Sequence, residues 1–286
     1  MTRIVDAHVH VWDPHRFHYP WLEATPALNA ACLPGDIPRD RDSAGMLFVE
    51  ADRAAEQGHA EAAWVAEMGD RWPDLLGIVA FAPLEHGPAV AEELAELSAM
   101  GKVVGVRRLL QDETADFVTD AALIDGVRSL ACTGLSFDAC VRHSQLPALV
   151  TLRRTAPETT VVLDHLGKPP IRAGWNSTAA SEWLRAVEAL AAEPLTYVKL
   201  SGLAPEAGPG SLSAQAAPFL IAAVEAFGPE RAMLASDWPV SQATEHHLTR
   251  QAWFDLVHEV LQLDASEIES VDNGAARSAY GLKVHA

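Results

Sequence analysis

Short apolar or β-branched runs recur along the chain at residues 4–10, 45–51, 75–83, 103–111, 135–141, 160–166, 195–201 and 232–238. Most of the gaps between them carry Ala- and Leu-rich segments with helical period, at 54–72, 88–100, 120–132, 146–155, 181–192 and 214–227. Continuous apolar strands that alternate with helices predict a parallel sheet covered on its outer face. Eight such units predict a closed (β/α)8 barrel of the α/β class, a single domain over residues 1–286. The rival is a doubly wound open sheet. That fold would place a Gly-rich turn after its first strand, where this chain has Trp12-Asp13-Pro14-His15.

One connection breaks the rhythm. Residues 12–43 are rich in Pro, aromatic and charged side chains and have little helical period. A loop of this length inside a compact domain is usually functional, and after a barrel's first strand it lies over the C-terminal face. Trp12, His15, Arg16, His18, Tyr19 and Trp21 are therefore expected to help close a site there. Beyond the eighth run, residues 249–262 and 266–280 read as closing helices, the second opened by a Ser266-x-x-Glu269 capping box.

The barrel reading gives the polar residues at the strand ends their meaning, because catalytic groups in such barrels come from the C-terminal ends of several strands. Alternation along a strand puts His8 and His10 on one face, where they can hold one metal ion or one substrate oxygen between them. Asp6 shares their parity and lies deeper, and is expected to orient a neighbour. Later runs end in Arg107-Arg108, Asp138, Asp164-His165, Lys199-Leu200-Ser201-Gly202 and Ser236-Asp237-Trp238-Pro239. A charge inside an apolar strand is expensive to bury unless it is paired or used. The paired alternative stays open: Arg107 or Arg108 with Asp138 or Glu50, and Lys199 with Asp164. His143, His246, His247, His258 and His285 sit in helical or terminal contexts and are expected to be solvated.

Composition narrows the partners. Lys and Arg total 21 against 39 Asp and Glu, a net charge of -18, which argues against nucleic acid and anionic membranes. The chain has 3 cysteines, widely spaced, which suggests neither a disulfide framework nor a cysteine zinc site. With no run of membrane-spanning length and no signal-peptide pattern, the expected location is the cytoplasm.

The motifs His8-x-His10, Trp12-Asp13, Tyr19-Pro20-Trp21, Gly105-Val106-Arg107, Asp164-His165-Leu166-Gly167-Lys168-Pro169, Val198-Lys199-Leu200-Ser201-Gly202 and Ser236-Asp237-Trp238-Pro239 together resemble the amidohydrolase superfamily, and within it the lactonase branch of sugar-acid and pyrone dicarboxylate lactonases. The resemblance runs over nearly the whole chain. It implies a distorted barrel of the metallo-dependent hydrolase type. It also implies a hydrolase that opens a lactone, such as L-fucono- or L-rhamnono-lactone, with Asp237 as general base and acid. His8, His10, His165 and Lys199 would complete the catalytic group, and Arg107, Trp12, Asp138, Tyr19 and Trp21 would bind substrate. Strand four offers no lysine to be carboxylated, and no strand-five histidine ligand is apparent. The resemblance therefore implies at most one divalent ion, zinc or manganese, held by His8, His10, His165 and Asp237, and leaves a metal-free site open. The partner implied is a small-molecule lactone, with a homo-oligomer left open. An aromatic-derived lactone, an exocyclic ester or amide, decarboxylation of an aromatic acid, and non-catalytic sugar-acid binding are the alternatives.

Overall fold

A computed structural model describes residues 3–38, 43–69 and 71–283 of the chain. Residues 39–42 of the long first connection, and His285, lie outside the described residues. The apolar runs form the strands β1 (Ile4–Val9), β2 (Ser43–Val49), β3 (Leu75–Phe81), β4 (Val103–Leu109), β5 (Ser136–Cys140), β6 (Val161–Leu163), β7 (Thr196–Leu200) and β8 (Ala232–Leu234). They pair in parallel and in sequence order in an 8-stranded sheet. Closure onto β1 takes place beyond the end of β8, where His10 N–H donates to Trp238 O at 2.8 Å and Asp237 N–H donates to His8 O at 2.9 Å. The open-sheet rival is thereby excluded.

The helices α1 (Gly58–Met68), α2 (Ala91–Ala99), α3 (Ala115–Val118), α4 (Ala121–Ser129), α5 (Leu146–Thr155), α6 (Thr178–Ala191) and α7 (Leu212–Phe227) lie between strands, and α8 (Arg250–Leu261), α9 (Ala265–Glu269) and α10 (Ala275–Tyr280) follow β8. Several of their starts follow ordinary capping chemistry. Asp120, Ser177, Ser211 and Thr249 each accept a backbone N–H from the first turn of α4, α6, α7 and α8. The expected capping box at Ser266-x-x-Glu269 is corrected to Asp264-x-x-Glu267. Asp264 accepts from Ser266 N and Glu267 N at 2.8 and 3.0 Å, and Glu267 accepts from Asp264 N at 2.9 Å. An aspartate at the helix boundary outcompetes a serine already inside the first turn. None of the helices among the described residues is long and apolar enough to cross a membrane.

One apolar layer fills the space between strands and helices, and a second fills the barrel interior. The interior layer joins Val5, Ala7, Leu47, Val49, Val79 and Val162 to Ala275, Ala276, Ala279 and Tyr280, so α10 plugs the lower end of the barrel. The barrel is distorted at β1: its pairing with β2 runs Asp6 opposite Met46 and then Val9 opposite Phe48, a slip between the two. The slip leaves Asp6 and Val9 facing the helices while His8 and His10 face inward. Asp6 is therefore not on the histidine face, as strict alternation had it. Its carboxylate instead accepts from Ser236 N at 2.8 Å, Ser236 Oγ at 2.6 Å and Arg250 Nε at 2.9 Å, tying β1 to the segment after β8 and to α8.

Candidate active site

Four inward groups converge at the C-terminal end of the barrel. His8 Nε2 and His10 Nε2 lie 3.1 Å apart, and Asp237 Oδ1 lies 3.9 Å from the first, 3.6 Å from the second and 3.9 Å from His165 Nε2. Each is oriented from behind. His10 Nδ1 sits 2.8 Å from the Val49 carbonyl, which can only accept, so Nδ1 donates there and Nε2 is turned inward. His165 Nδ1 meets Ser201 Oγ at 2.9 Å, and Ser241 Oγ donates to Asp237 Oδ2 at 2.7 Å, leaving Oδ1 to the imidazoles.

The backbone here is unusual. Asp52, His165, Lys168 and Asp237 all line the cavity above the barrel, and all have left-handed φ values, between 48° and 56°. Non-glycine residues in that region store strain of about 1–3 kcal/mol each and gather at functional sites. Gly202 completes the arrangement: at φ +66° it passes so close to His165 that a Cβ would fall 2.4 Å from Nδ1. Only glycine leaves room for the ring.

Protonation follows from burial. Desolvation and the Lys199 ammonium hold His8 well below the usual histidine range, and desolvation brings His165 down to about 4. Burial alone would raise the Asp237 carboxyl, but the charge of His165 and the hydrogen bond and charges of His10 and His8 outweigh it and hold it below the carboxylate range. At neutral pH the site therefore presents the ionised Asp237 carboxylate beside the neutral imidazoles of His8 and His165.

A second polar layer lies beneath. Lys199 Nζ donates to Asp138, and lies 3.0 Å from Asp164 Oδ1 and 3.1 Å from His8 Nδ1. Tyr280 OH, on α10, donates to Asp138 at 2.8 Å. Burial opposes the Lys199 charge, but Asp138 and Asp164 more than restore it, and its pKa is raised. Arg107 Nε donates to Glu50 Oε1 at 2.7 Å, and Arg107 Nη1 lies 3.6 Å from Asp164. The pairings left open for Arg107 with Glu50 and for Lys199 with Asp164 are thus both formed, whereas Arg108 turns outward to Glu85 and Glu113.

The cavity itself has a volume of about 250 Å³. His10, His165, Asp237, Arg107 and Trp21, all expected at the site, line it. His8 and Lys199 do not reach it and are fully buried below. Trp12, Tyr19 and Asp138, expected to touch substrate, do not line it either. Trp12 is buried inside the first loop, where its indole N–H donates to Ala30 O at 2.8 Å and its ring meets Trp21 edge to face. Tyr19 OH donates to Glu61 on α1 at 3.1 Å. His15, Arg16 and His18 are exposed and away from the cavity. The loop is a fixed wall with Trp21 as its inward face, pinned by Trp21 Nε1 to Ala51 O at 2.8 Å. Two histidines expected in solvent are also bonded: His143 Nδ1 to Lys168 O at 3.1 Å and His258 to Asp272 at 2.7 Å. Sequence reasoning missed Asp52, Asp112, Cys140 and Pro205 among the lining residues, whereas Gln111 belongs to the polar end of the fourth run. For Asp52 a signal existed, since Glu50 to Arg53 brings three charges to the end of the second apolar run.

Metal fit follows from the donor atoms. His8, His165 and Asp237 place ligand atoms all within 4.8 Å of one another, and His10 joins them through His8 and Asp237. A tetrahedral zinc with bonds of about 2.0–2.1 Å separates its ligands by roughly 3.3 Å, close to the spacings here. Three imidazoles, one fixed by a backbone carbonyl, together with an ionised carboxylate suit one divalent ion.

A parallel barrel whose C-terminal face gathers histidines and an aspartate over a closed ionic floor has the form of a hydrolase active site. The profile of the amidohydrolase family matches residues 5–282, and the chain belongs to that family. It is 31% identical over 258 residues to an L-fucono-1,5-lactonase of Burkholderia ambifaria, covering 88% of this chain and 86% of that one. It is also 31% identical over 293 residues to an L-fucono-1,5-lactonase of Burkholderia multivorans, covering 97% and 96%. Among solved structures, an amidohydrolase from Burkholderia multivorans with bound zinc superposes with a TM-score of 0.85 at 30% identity, over 99% of this chain and 100% of that one.

Proposed function

We propose that the protein is a lactonase that opens a sugar-acid (aldono-) lactone, of the L-fucono- or L-rhamnono-lactone kind, by attack of water on the ring carbonyl. The observation that carries this reading is the Asp237 carboxylate, held by Ser241 with Oδ1 turned toward three imidazoles at the bottom of the cavity. The 31% identity to two proteins named L-fucono-1,5-lactonase supports the substrate class.

Ring opening needs a base for the water, a home for the oxyanion and a proton for the ring oxygen. Asp237 Oδ1 takes one proton from water as its oxygen bonds to the carbonyl carbon. The negative charge on the carbonyl oxygen develops toward the cationic donors on the cavity wall, Arg107 and Lys168. When the tetrahedral centre collapses, the acyl carbon to ring oxygen bond breaks and Asp237 returns the proton to the departing alkoxide. His8, His10, His165 and Asp237 would hold a divalent ion, which would supply Lewis acidity at this end of the cavity. Arg107 and Lys168 stand on the cavity wall as donors to substrate oxygens.

The charges favour a neutral sugar lactone over a pyrone dicarboxylate. Arg107 already pairs with Glu50, and Lys168 Nζ lies 3.8 Å from Glu206. Little cationic charge remains for two substrate carboxylates. The three free cysteines agree with a reducing cytoplasm.

A pH-indicator screen over aldonolactones and pyrone lactones, with metal-stripped and zinc-reconstituted enzyme, tests the reading. The expected result is acid release from a neutral aldonolactone without gas. Carbon dioxide release from an aromatic acid, or preferred turnover of a pyrone dicarboxylate, would replace it.

A further inference from the structure

Among the described residues, Asp52 lines the cavity with a carboxylate that accepts no hydrogen bond and forms no ion pair. Its neighbours on the wall are all engaged: Arg107 with Glu50, Asp112 with Arg142 at 2.8 Å, and Asp237 with Ser241. At Asp52 the backbone is fixed, because its N–H donates to Glu50 Oε2 at 2.8 Å in a left-handed turn at φ 55°. Its carboxylate accepts no hydrogen bond among the described residues and remains at the rim in water. The turn explains why a residue tolerant of left-handed φ stands here, but asparagine would serve that need as well as aspartate. The charge calls for another reason.

Ala51 supplies it. The carbonyl of Ala51 holds the Trp21 indole, and Ala51, Asp52 and Trp21 all line the cavity. The Trp21 ring, fastened to the Ala51 carbonyl, and the carboxylate of the next residue form a pair that suits a polyol: the ring packs against C–H groups, and the carboxylate accepts from hydroxyls once water is displaced. The same charge repels a substrate carboxylate.

We propose that Asp52, with Trp21, is the specificity-determining subsite for the hydroxyl-bearing edge of the substrate, selecting neutral polyhydroxylated rings. The proposal rests on the lactonase reading for the reaction, but its test is one of binding.

A neutral aldonolactam, in which a ring N–H replaces the ring oxygen, is titrated calorimetrically into wild-type enzyme and Asp52→Asn, alongside the hydroxyl-free ring 2-piperidone. Asparagine keeps the left-handed turn and removes only the charge. A hydrogen bond to a charged group contributes about 1.5–3 kcal/mol against about 0.5–1.5 kcal/mol for the neutral bond that asparagine can still accept, so the lactam should bind the variant roughly 5- to 10-fold more weakly, with 2-piperidone unaffected. In turnover the loss should fall on KM with kcat nearly unchanged. Equal affinities for the lactam, equal losses on both rings, or no lactam binding by the wild type would each overturn the subsite. If the lactam binds with the expected penalty while no lactone is opened, the lactonase reading falls and the subsite stands. Normal ring opening with unchanged lactam affinity in Asp52→Asn gives the reverse.

Discussion

The barrel interior holds two polar layers, and they are polar for different reasons. The lower one, Lys199, Asp138, Asp164 and Tyr280, is closed off from solvent, and each charge is met by an opposite one or by a hydroxyl. The upper one, His10, His165 and Asp237, borders the cavity, sits partly on left-handed backbone, and keeps ring nitrogens and a carboxylate oxygen turned inward at the cavity. His8 joins the two, with Nε2 in the upper layer and Nδ1 against Lys199. A charged residue on a barrel strand can thus be a foundation or a tool. What separates them is whether its partners leave anything unsatisfied for a ligand.

If that division is right, substitutions in the two layers fail in different ways. The largest effect is expected from Asp237→Asn, which keeps the left-handed turn and the bond to Ser241 but removes the base. Turnover should fall about 10²- to 10⁴-fold with the melting temperature nearly unchanged, read by steady-state kinetics and thermal unfolding. Near-normal turnover would move Asp237 into the foundation.

Lys199→Met should do the opposite. It leaves Asp138 and Asp164 buried without their cation, a loss of about 3–5 kcal/mol that urea unfolding would register as a lower midpoint. A variant as stable as wild type but inactive would place Lys199 in the upper layer instead.

Gly202→Ala tests how tightly the upper layer is held. The added Cβ falls 2.4 Å from His165 Nδ1, so the ring must shift. We expect kcat to drop by about tenfold or more, since misplacement of a catalytic group by about 1 Å can cost 10²-fold. Unchanged kcat would show that His165 tolerates displacement.

The smallest effect concerns a buried carboxyl outside both layers. Burial, and then repulsion from Glu50, pushes Glu61 on α1 up to about 8 from 4.5. The folded state therefore binds this proton more tightly than the unfolded state. The stability it contributes is complete below about 4.5 and is lost as pH rises through about 8. Glu61→Gln should flatten that part of the stability profile in denaturant titrations at several pH values, and an unchanged slope would count against it.

Periodicity located each strand of the barrel to within a few residues, because a strand buried on both faces has to be a continuous apolar run. It also brought His10, His165 and Asp237 to one end. What it lacks is height and local irregularity. Parity points both Lys199 and Asp237 inward, yet cannot say that one lies below the cavity and the other on its floor. The slip between Asp6 and Val9 reverses the face of Asp6 with no mark in the residues themselves. In the first loop no period exists, so nothing distinguishes Trp21, which faces the cavity, from Trp12 and Tyr19, which fasten the loop down.

The central claim is that water attacks the lactone carbonyl with Asp237 as base. It is tested most directly by opening an aldonolactone in ¹⁸O-labelled water with wild-type enzyme and with Asp237→Asn, and locating the label by mass spectrometry. The account predicts rapid entry of one ¹⁸O into the carboxylate for the wild type, slowed at least 10²-fold in the variant. Label on the product hydroxyl, or equal rates for the two proteins, would contradict it.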